Sequence, residues 1–400
     1  MRIFRFLRDL DSRRAVRIAV VVWILFALII GIVVASRPDK HTVTPEYRQA
    51  SLTWWGGRES LYDGSQVGYL YLPQEAILYT PYQVLPKRIG EPLWRWTGLA
   101  LLAMGLWRVA GLLSPAKQER LFLVATLLVI PAACASAQDG QVNLPLAGLM
   151  LLSVAEVARS RWNQAAVWLL LAVMLKPIAL APALLAFVCF GSLRIPLFLG
   201  FLICLAAAYL HPSAAYVTAE YHHFWAKFLL AGHPLVKDNF SDFFGMLWHW
   251  GIHPVPVIIT AARAVAALLA LVLAIHVTRR FRSDSVLEAF GVLLLSALYL
   301  MLFNPRTEEN SFVMLAAFTA LLAARDLVAG SSHGQFRGKW LAVFCLLLAV
   351  DAYGYPIFPL TRIWFKPLIT SLFLLTLVAG NFSLLKALDS QAEDRNLGEG

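Results

Sequence analysis

The chain has 400 residues, of which 59% are hydrophobic and only 14% charged. A soluble protein of this size carries roughly a quarter charged residues, so water is excluded as the main solvent. The net charge of +10 sits in short turns between apolar runs, which fits membrane topology and anionic lipid headgroups and argues against a nucleic-acid partner.

Basic residues gather in a repeating rhythm along the chain: Arg2, Arg5, Arg8, Arg13, Arg14 and Arg17, then Lys117 and Arg120, Arg159 and Arg161, Arg194, Arg279 to Arg282, Arg337 and Lys339, and Lys386. The apolar gaps between them are long enough to leave a bilayer and return. This is the positive-inside pattern with both termini cytoplasmic. The fold class it predicts is an all-α polytopic membrane protein of about twelve transmembrane helices, within a range of about 10 to 13. One transmembrane domain over residues 1–385 is expected, followed by a cytoplasmic tail at 386–400.

In chain order, the first apolar run at 15–35 is long enough to span, and Arg37-Pro38-Asp39-Lys40 is a poor cleavage site, so it reads as a retained helix. A first outer loop follows over 37–95. Helices at 97–113 and 121–137 flank the basic Lys117 turn, and 138–143 is a tight outer turn. The next helix returns to Arg159. A short helix at 165–175 ends at Lys176-Pro177, where proline either starts the next helix or kinks a continuing one. The following helices reach Arg194 and then His211-Pro212. A second outer loop covers 212–254, a helix runs in to Arg279, and another runs out to 304–310. Three more helices, with an outer loop at 351–366, complete the set.

Both long outer segments are dense in Tyr, Trp and Phe, which suits the headgroup level. The stretch 74–85 is too short to span and too apolar to be solvated, so a short interfacial helix is expected there. Polar clusters recur at outer helix ends: Glu46-Tyr47-Arg48, Arg58-Glu59 with Asp63, 138–143, Lys176, and 304–310. A charge at membrane depth costs on the order of 2.5–3.5 kcal/mol, so several together imply a polar cavity at the outer leaflet. His211, His222, His223 and His233 match no ligand spacing, and no Asp-x-Asp pair stands out. The four cysteines lie in apolar runs and read as core hydrophobes. No metal or other cofactor is expected. No internal repeat is evident, which weakens an inverted-repeat transporter reading.

Gly57-Arg58-Glu59-Ser60-Leu61-Tyr62 followed by Tyr69-Leu70-Tyr71-Leu72-Pro73 resembles the first-loop pattern of glycosyltransferase family 87. The resemblance continues in order through Asp139-Gly140-Gln141-Val142-Asn143, Leu175-Lys176-Pro177 and Asp238-Asn239-Phe240-Ser241. Such enzymes are membrane proteins of GT-C type that use polyprenol-phosphate-mannose. The resemblance implies an inverting hexosyltransferase of the bacterial inner membrane with a periplasmic site. It would move a hexose, mannose first among candidates, from a polyprenyl monophosphate to a glycolipid or polysaccharide acceptor amid membrane lipids. Lys176 and Arg306, then Arg58, are the implied phosphate partners. Tyr71, Gln74, Asp139, Gln141, Asn143, Asn239 and Glu308 would hold sugar or acceptor.

The chain departs from the pattern at the base. Where the family has an aspartate shortly before a tyrosine, Val43 precedes Tyr47, and Asp139 stands where asparagine is usual. Either Glu46 or Asp39 supplies the catalytic carboxylate, or the arrangement differs from the family's. The rival readings are an O-antigen ligase or polymerase using a polyprenyl diphosphate donor, and a transporter or flippase for a lipid-linked saccharide.

Overall fold

A computed structural model describes residues 10–40, 42–63, 68–232, 240–329 and 332–386. Its regular elements are helices; no strand occurs among the described residues. Asp11 caps α1 (Ser12–Ser36) by accepting the N–H groups of Arg13 and Arg14. The segment expected as the first outer loop then folds into α2 (Thr44–Gly56) and α3 (Pro73–Gln83), each with proline in its first turn. There follow α4 (Lys87–Leu113), α5 (Gln118–Asp139), α6 (Asn143–Ala158), α7 (Trp162–Leu175), α8 (Leu180–Cys189) and α9 (Arg194–Ala207). The segment expected as the second outer loop holds α10 (Ala214–Gly232) and α11 (Phe243–His249), and α12 (Pro256–Arg280), α13 (Ser285–Phe303), α14 (Val313–Ala329) and α15 (Ser332–Leu347) come next. Three more helices, α16 (Ile357–Thr361), α17 (Phe365–Ala379) and α18 (Ser383–Lys386), end the described chain.

Each of the twelve expected spans meets a helix: α1, α4 to α9, α12 to α15 and α17. Among the described residues, seven helical segments are long and apolar enough to cross a membrane: those of α1, α4, α5, α9, α12, α13 and α14. The others are shorter. The Lys176-Pro177 alternative resolves as a break: Lys176 is extended, as a residue before proline prefers, and Pro177–Ala179 forms a 3-10 turn that opens α8.

The centre of the bundle is α14, whose residues from Val313 to Ala324 are buried almost without exception. It packs on α5 and α15, while α4 and α6 lie back to back. Gly105 and Gly148 permit that approach, since a Cβ on Gly105 would stand 2.8 Å from the Gly148 carbonyl oxygen. By contrast, α9 and α12 turn Ile195, Phe198, Ile203, Leu268 and Val272 outward, as lipid-facing helices do. The bundle's two ends differ. At one end Glu156 pairs with Arg108 (3.1 Å) and Arg161 (3.6 Å), Arg120 donates to the Leu10 carbonyl, and Asp326 pairs with Arg325 and Arg337. The other end carries the elements described next.

One boundary differs from expectation. The helix expected from 97 begins at Lys87, so Glu91 and Arg95 lie inside α4, not in a loop. Arg95 Nη1 donates to Glu91 Oε2 at 2.8 Å, and both side chains are buried. Mutual neutralisation one helical turn apart lets two charges enter a span that composition alone would end before them.

Candidate active site

At the end opposite Glu156, the C-terminal ends of α5, α7 and α13 and the N-terminal end of α6 converge. Helix α5 stops at Asp139 because Gly140 takes a left-handed conformation (φ 69°) and its N–H caps the Ser136 carbonyl. A Cβ at Gly140 would also stand 2.6 Å from Thr44 Cγ2 and 2.8 Å from Arg95 Nη2. This tight turn sends Gln141 and Asn143 to the same place as Lys176 and the 304–310 segment.

Asn143 is fully buried and is the hub. Its Oδ1 accepts from Lys176 Nζ at 2.9 Å, and its Nδ2 donates to Asn310 Oδ1 (2.9 Å) and Ser311 Oγ (3.1 Å). Asn310 Nδ2 in turn donates to Asp139 Oδ2 at 3.3 Å, and Gln141 Nε2 donates to Glu308 Oε2 at 2.9 Å. Glu308 caps the short 3-10 turn that leads into α14, and its own N–H donates to Ser311 Oγ. Burial lowers the Lys176 pKa, while the Glu308 charge pulls it back up. Lys176 is thus a half-buried amine bonded to Asn143, in one network with Asn310, Gln141 and the Glu308 carboxylate.

A tyrosine wall stands against this network. Tyr47 and Tyr71 share a hydroxyl contact of 3.0 Å, and their rings meet edge-on at 5.2 Å. Burial holds the Tyr71 phenol well above its ordinary value, with the charges of Glu308, Glu75 and Glu46 adding to the effect. Tyr62 donates to the Tyr71 carbonyl (2.7 Å). Behind the wall Glu75 is fully buried, accepting from Tyr69 Oη at 2.8 Å, and its Oε1 has no hydrogen-bond partner.

Of the residues singled out from sequence, Lys176, Asp139, Gln141, Asn143 and Glu308 come together, and Tyr71 lies within reach of the Glu308 charge. Gln74 points elsewhere: its Nε2 donates to the Cys204 carbonyl (2.9 Å) and Tyr221 Oη (2.5 Å), tying α3 to α9 and α10. The helix expected near 74–85 is present as α3, but Gln74, Glu75 and Tyr79 are buried within protein. Arg306 donates to the Ala231 carbonyl (3.0 Å) and lies over the Phe240 ring. Arg58 is exposed just past α2. Asp39 is exposed and ion-paired with Lys87 (2.5 Å), and Glu46 is exposed in the first turn of α2. Asn239 lies outside the described residues, as do His233 and the arginines at 2, 5 and 8.

Among the buried acids that escaped the sequence reading, Glu91 and Glu75 lie closest in sequence to the tyrosine cluster. Glu91 also accepts from Thr44 Oγ1 (2.5 Å) and Tyr79 Oη (3.1 Å), so it braces α2 and α3 against α4. Glu75 carried the one available signal, a lone carboxylate in a segment too apolar for water. No group of three or more His, Cys, Asp or Glu residues suited to a metal occurs among the described residues.

The family model for glycosyltransferase family 87 matches residues 69–305, more than half of the chain. That span takes in Tyr69, Tyr71, Glu75, Asp139, Gln141, Asn143 and Lys176, and leaves out Tyr47, Tyr62 and Glu308. No curated protein matches the chain.

Proposed function

The chain belongs to glycosyltransferase family 87, and from that premise we propose that it transfers a hexose, mannose first among candidates, from a polyprenyl monophosphate to a hydroxyl of a glycolipid or polysaccharide. The site lies at the periplasmic face of a bacterial inner membrane, in a GT-C-like bundle whose termini are both cytoplasmic. The observation that carries this reading is Lys176, a half-buried lysine held by Asn143 within a network of amides.

Transfer from a lipid phosphate breaks the bond between the anomeric carbon and a phosphate oxygen, which leaves with more negative charge. A cation preorganised where water is scarce stabilises that charge strongly. Lys176 takes this role, with Arg306 and Arg58 as further phosphate partners on approach. Gln141, Asn143, Glu308 and Asp139 offer donors and acceptors for sugar hydroxyls, Tyr71 offers a ring face, and Asn239 is a further candidate by its sequence motif, while Gln74 keeps its tie to Cys204 and Tyr221. The acceptor attacks directly as the phosphate leaves, so the anomeric configuration inverts. Glu46 and Asp39 are the first-loop carboxylates that could take the acceptor's proton.

The test is purified protein in nanodiscs, supplied with radiolabelled polyprenyl-phosphate mannose and a glycolipid acceptor. Labelled acceptor together with free polyprenyl phosphate is the expected outcome. Transfer only from a polyprenyl diphosphate donor would establish the ligase reading, and label crossing the bilayer without transfer would establish the transporter reading.

A further inference from the structure

The base need not come from the first loop, because two carboxylates, Asp139 and Glu308, already sit inside the amide network that holds Lys176. Asp39 is engaged at the surface by Lys87, and Glu308 is held by Gln141. Asp139 is half-buried at the tip of α5, and an amide chain runs from Lys176 through Asn143 and Asn310 to its Oδ2. Cation and carboxylate are thus fixed in one frame, separated by two amide side chains, while Glu46 lies on the exposed first turn of α2. The turn is rigid: Gly140 is pressed against Thr44 and Arg95, and the Asp139 carbonyl accepts from Val43 N–H (3.0 Å) and Thr42 Oγ1 (3.2 Å). Position 43, which carries no carboxylate, therefore lies directly beside residue 139.

We propose that Asp139 is the catalytic base of this chain, accepting the acceptor hydroxyl's proton during glycosyl transfer. The assignment rests on the transferase reading above. As the acceptor oxygen bonds to the anomeric carbon, its proton passes to an Asp139 carboxylate oxygen. The bond between the anomeric carbon and phosphate breaks, its electron pair stays on the polyprenyl phosphate, and Lys176 holds that charge. Asn310 orients the carboxylate from the same network that orients the lysine, so base and leaving-group cation are set by one scaffold.

The experiment uses the full-length protein in nanodiscs with polyprenyl-phosphate mannose. Asp139→Asn keeps an oxygen for the Asn310 N–H and removes only the basicity. Its kcat should fall by about 100-fold to 10,000-fold, the usual reach of a general base, while donor binding stays within about threefold. Adding Val43→Asp to the Asp139→Asn protein should recover at least about tenfold, because it returns a carboxylate to the neighbouring backbone position. A structural role for Asp139 would not show that rescue. Normal turnover in Asp139→Asn overturns the assignment, as does a loss that neither spares donor binding nor responds to Val43→Asp. Turnover lost in Glu46→Gln or Asp39→Asn but kept in Asp139→Asn also overturns it and moves the base to the first loop. Wild-type protein inert toward every polyprenyl-phosphate sugar removes the transferase reading itself, and this assignment with it.

Discussion

Glu75 shows how one residue can couple stability to pH. Burial raises its pKa from an ordinary 4.5 to about 8, and the Tyr69 hydrogen bond offsets only part of that. The folded protein thus holds the Glu75 proton more tightly than the unfolded chain does. Below about pH 4.5 both states are protonated and folding carries no penalty. As pH rises from there to about 8 the penalty grows, and above 8 it is complete. Glu75→Gln, which keeps an acceptor for Tyr69, should therefore raise the melting temperature in detergent at pH 9 and leave it unchanged near pH 5. The gain at high pH should be on the order of a few kcal/mol. A uniform shift at both pH values would show that Glu75 ionisation does not govern the effect.

Lys176 makes the opposite case, a residue whose removal should cost activity more than stability. Lys176→Ala deletes one donor to Asn143 and a cation in a poorly hydrated place, so the bundle should melt within a few degrees of wild type. Turnover should fall about 100-fold or more, as when an electrostatic stabiliser of a leaving group is lost. Full turnover in Lys176→Ala would remove the phosphate role. The residues of this cluster were legible in the sequence because amides and a lysine at the ends of apolar spans have few other uses. Arg58, Asp39 and Gln74 carry the same letters, but the fold spends Gln74 on a tie between helices and leaves the other two at the surface. Composition cannot separate the two outcomes, since the difference lies in which helix end meets which.

Among the elements, α4 was the hardest to read. A charge normally marks the end of a span, so Glu91 and Arg95 displaced its expected start to 97. The pair is buried and extensively bonded: Arg95 reaches the Gln138 carbonyl (3.0 Å) and Thr42 Oγ1 (2.8 Å), and Glu91 holds Thr44 and Tyr79. Arg95 thereby places a cation at the C-terminal end of α5, where the helix dipole favours one, immediately before Asp139. Removing Arg95 leaves the buried Glu91 charge with only the longer Arg48 pair at 3.7 Å. Arg95→Met should destabilise the protein by roughly 3–5 kcal/mol, and Arg95→Met combined with Glu91→Met should recover much of that loss. Thermal melts of the two variants in one detergent decide the matter; equal destabilisation by single and double changes would mean the pair is not coupled. The outer helices α2 and α3 were missed or only half seen for a related reason. They bury aromatic residues against protein, with no periodic apolar face to signal a helix.

For the molecule as a whole, the charge rhythm was the most legible feature, because spans and basic turns depend on bilayer thickness and loop charge more than on tertiary detail. The order of helices could be read from it; their lateral packing, with α14 at the centre, could not. The structure gathers Arg108, Arg120, Arg161 and Arg325 at one end and the amide network at the other. The positive-inside pattern predicts an orientation in which the basic end is cytoplasmic and the amide network faces outward. Helix α13 joins the two ends directly, running from Ser285, just past Arg282, to Phe303, just before Thr307. Fusions of a paired reporter after Arg282 and after Thr307 should therefore report inside and outside respectively. The same side for both would mean α13 does not cross. Opposite sides in reverse order would place the Lys176 network in the cytoplasm, where nucleotide-linked donors are available and a polyprenyl-phosphate sugar presented in the outer leaflet is out of reach.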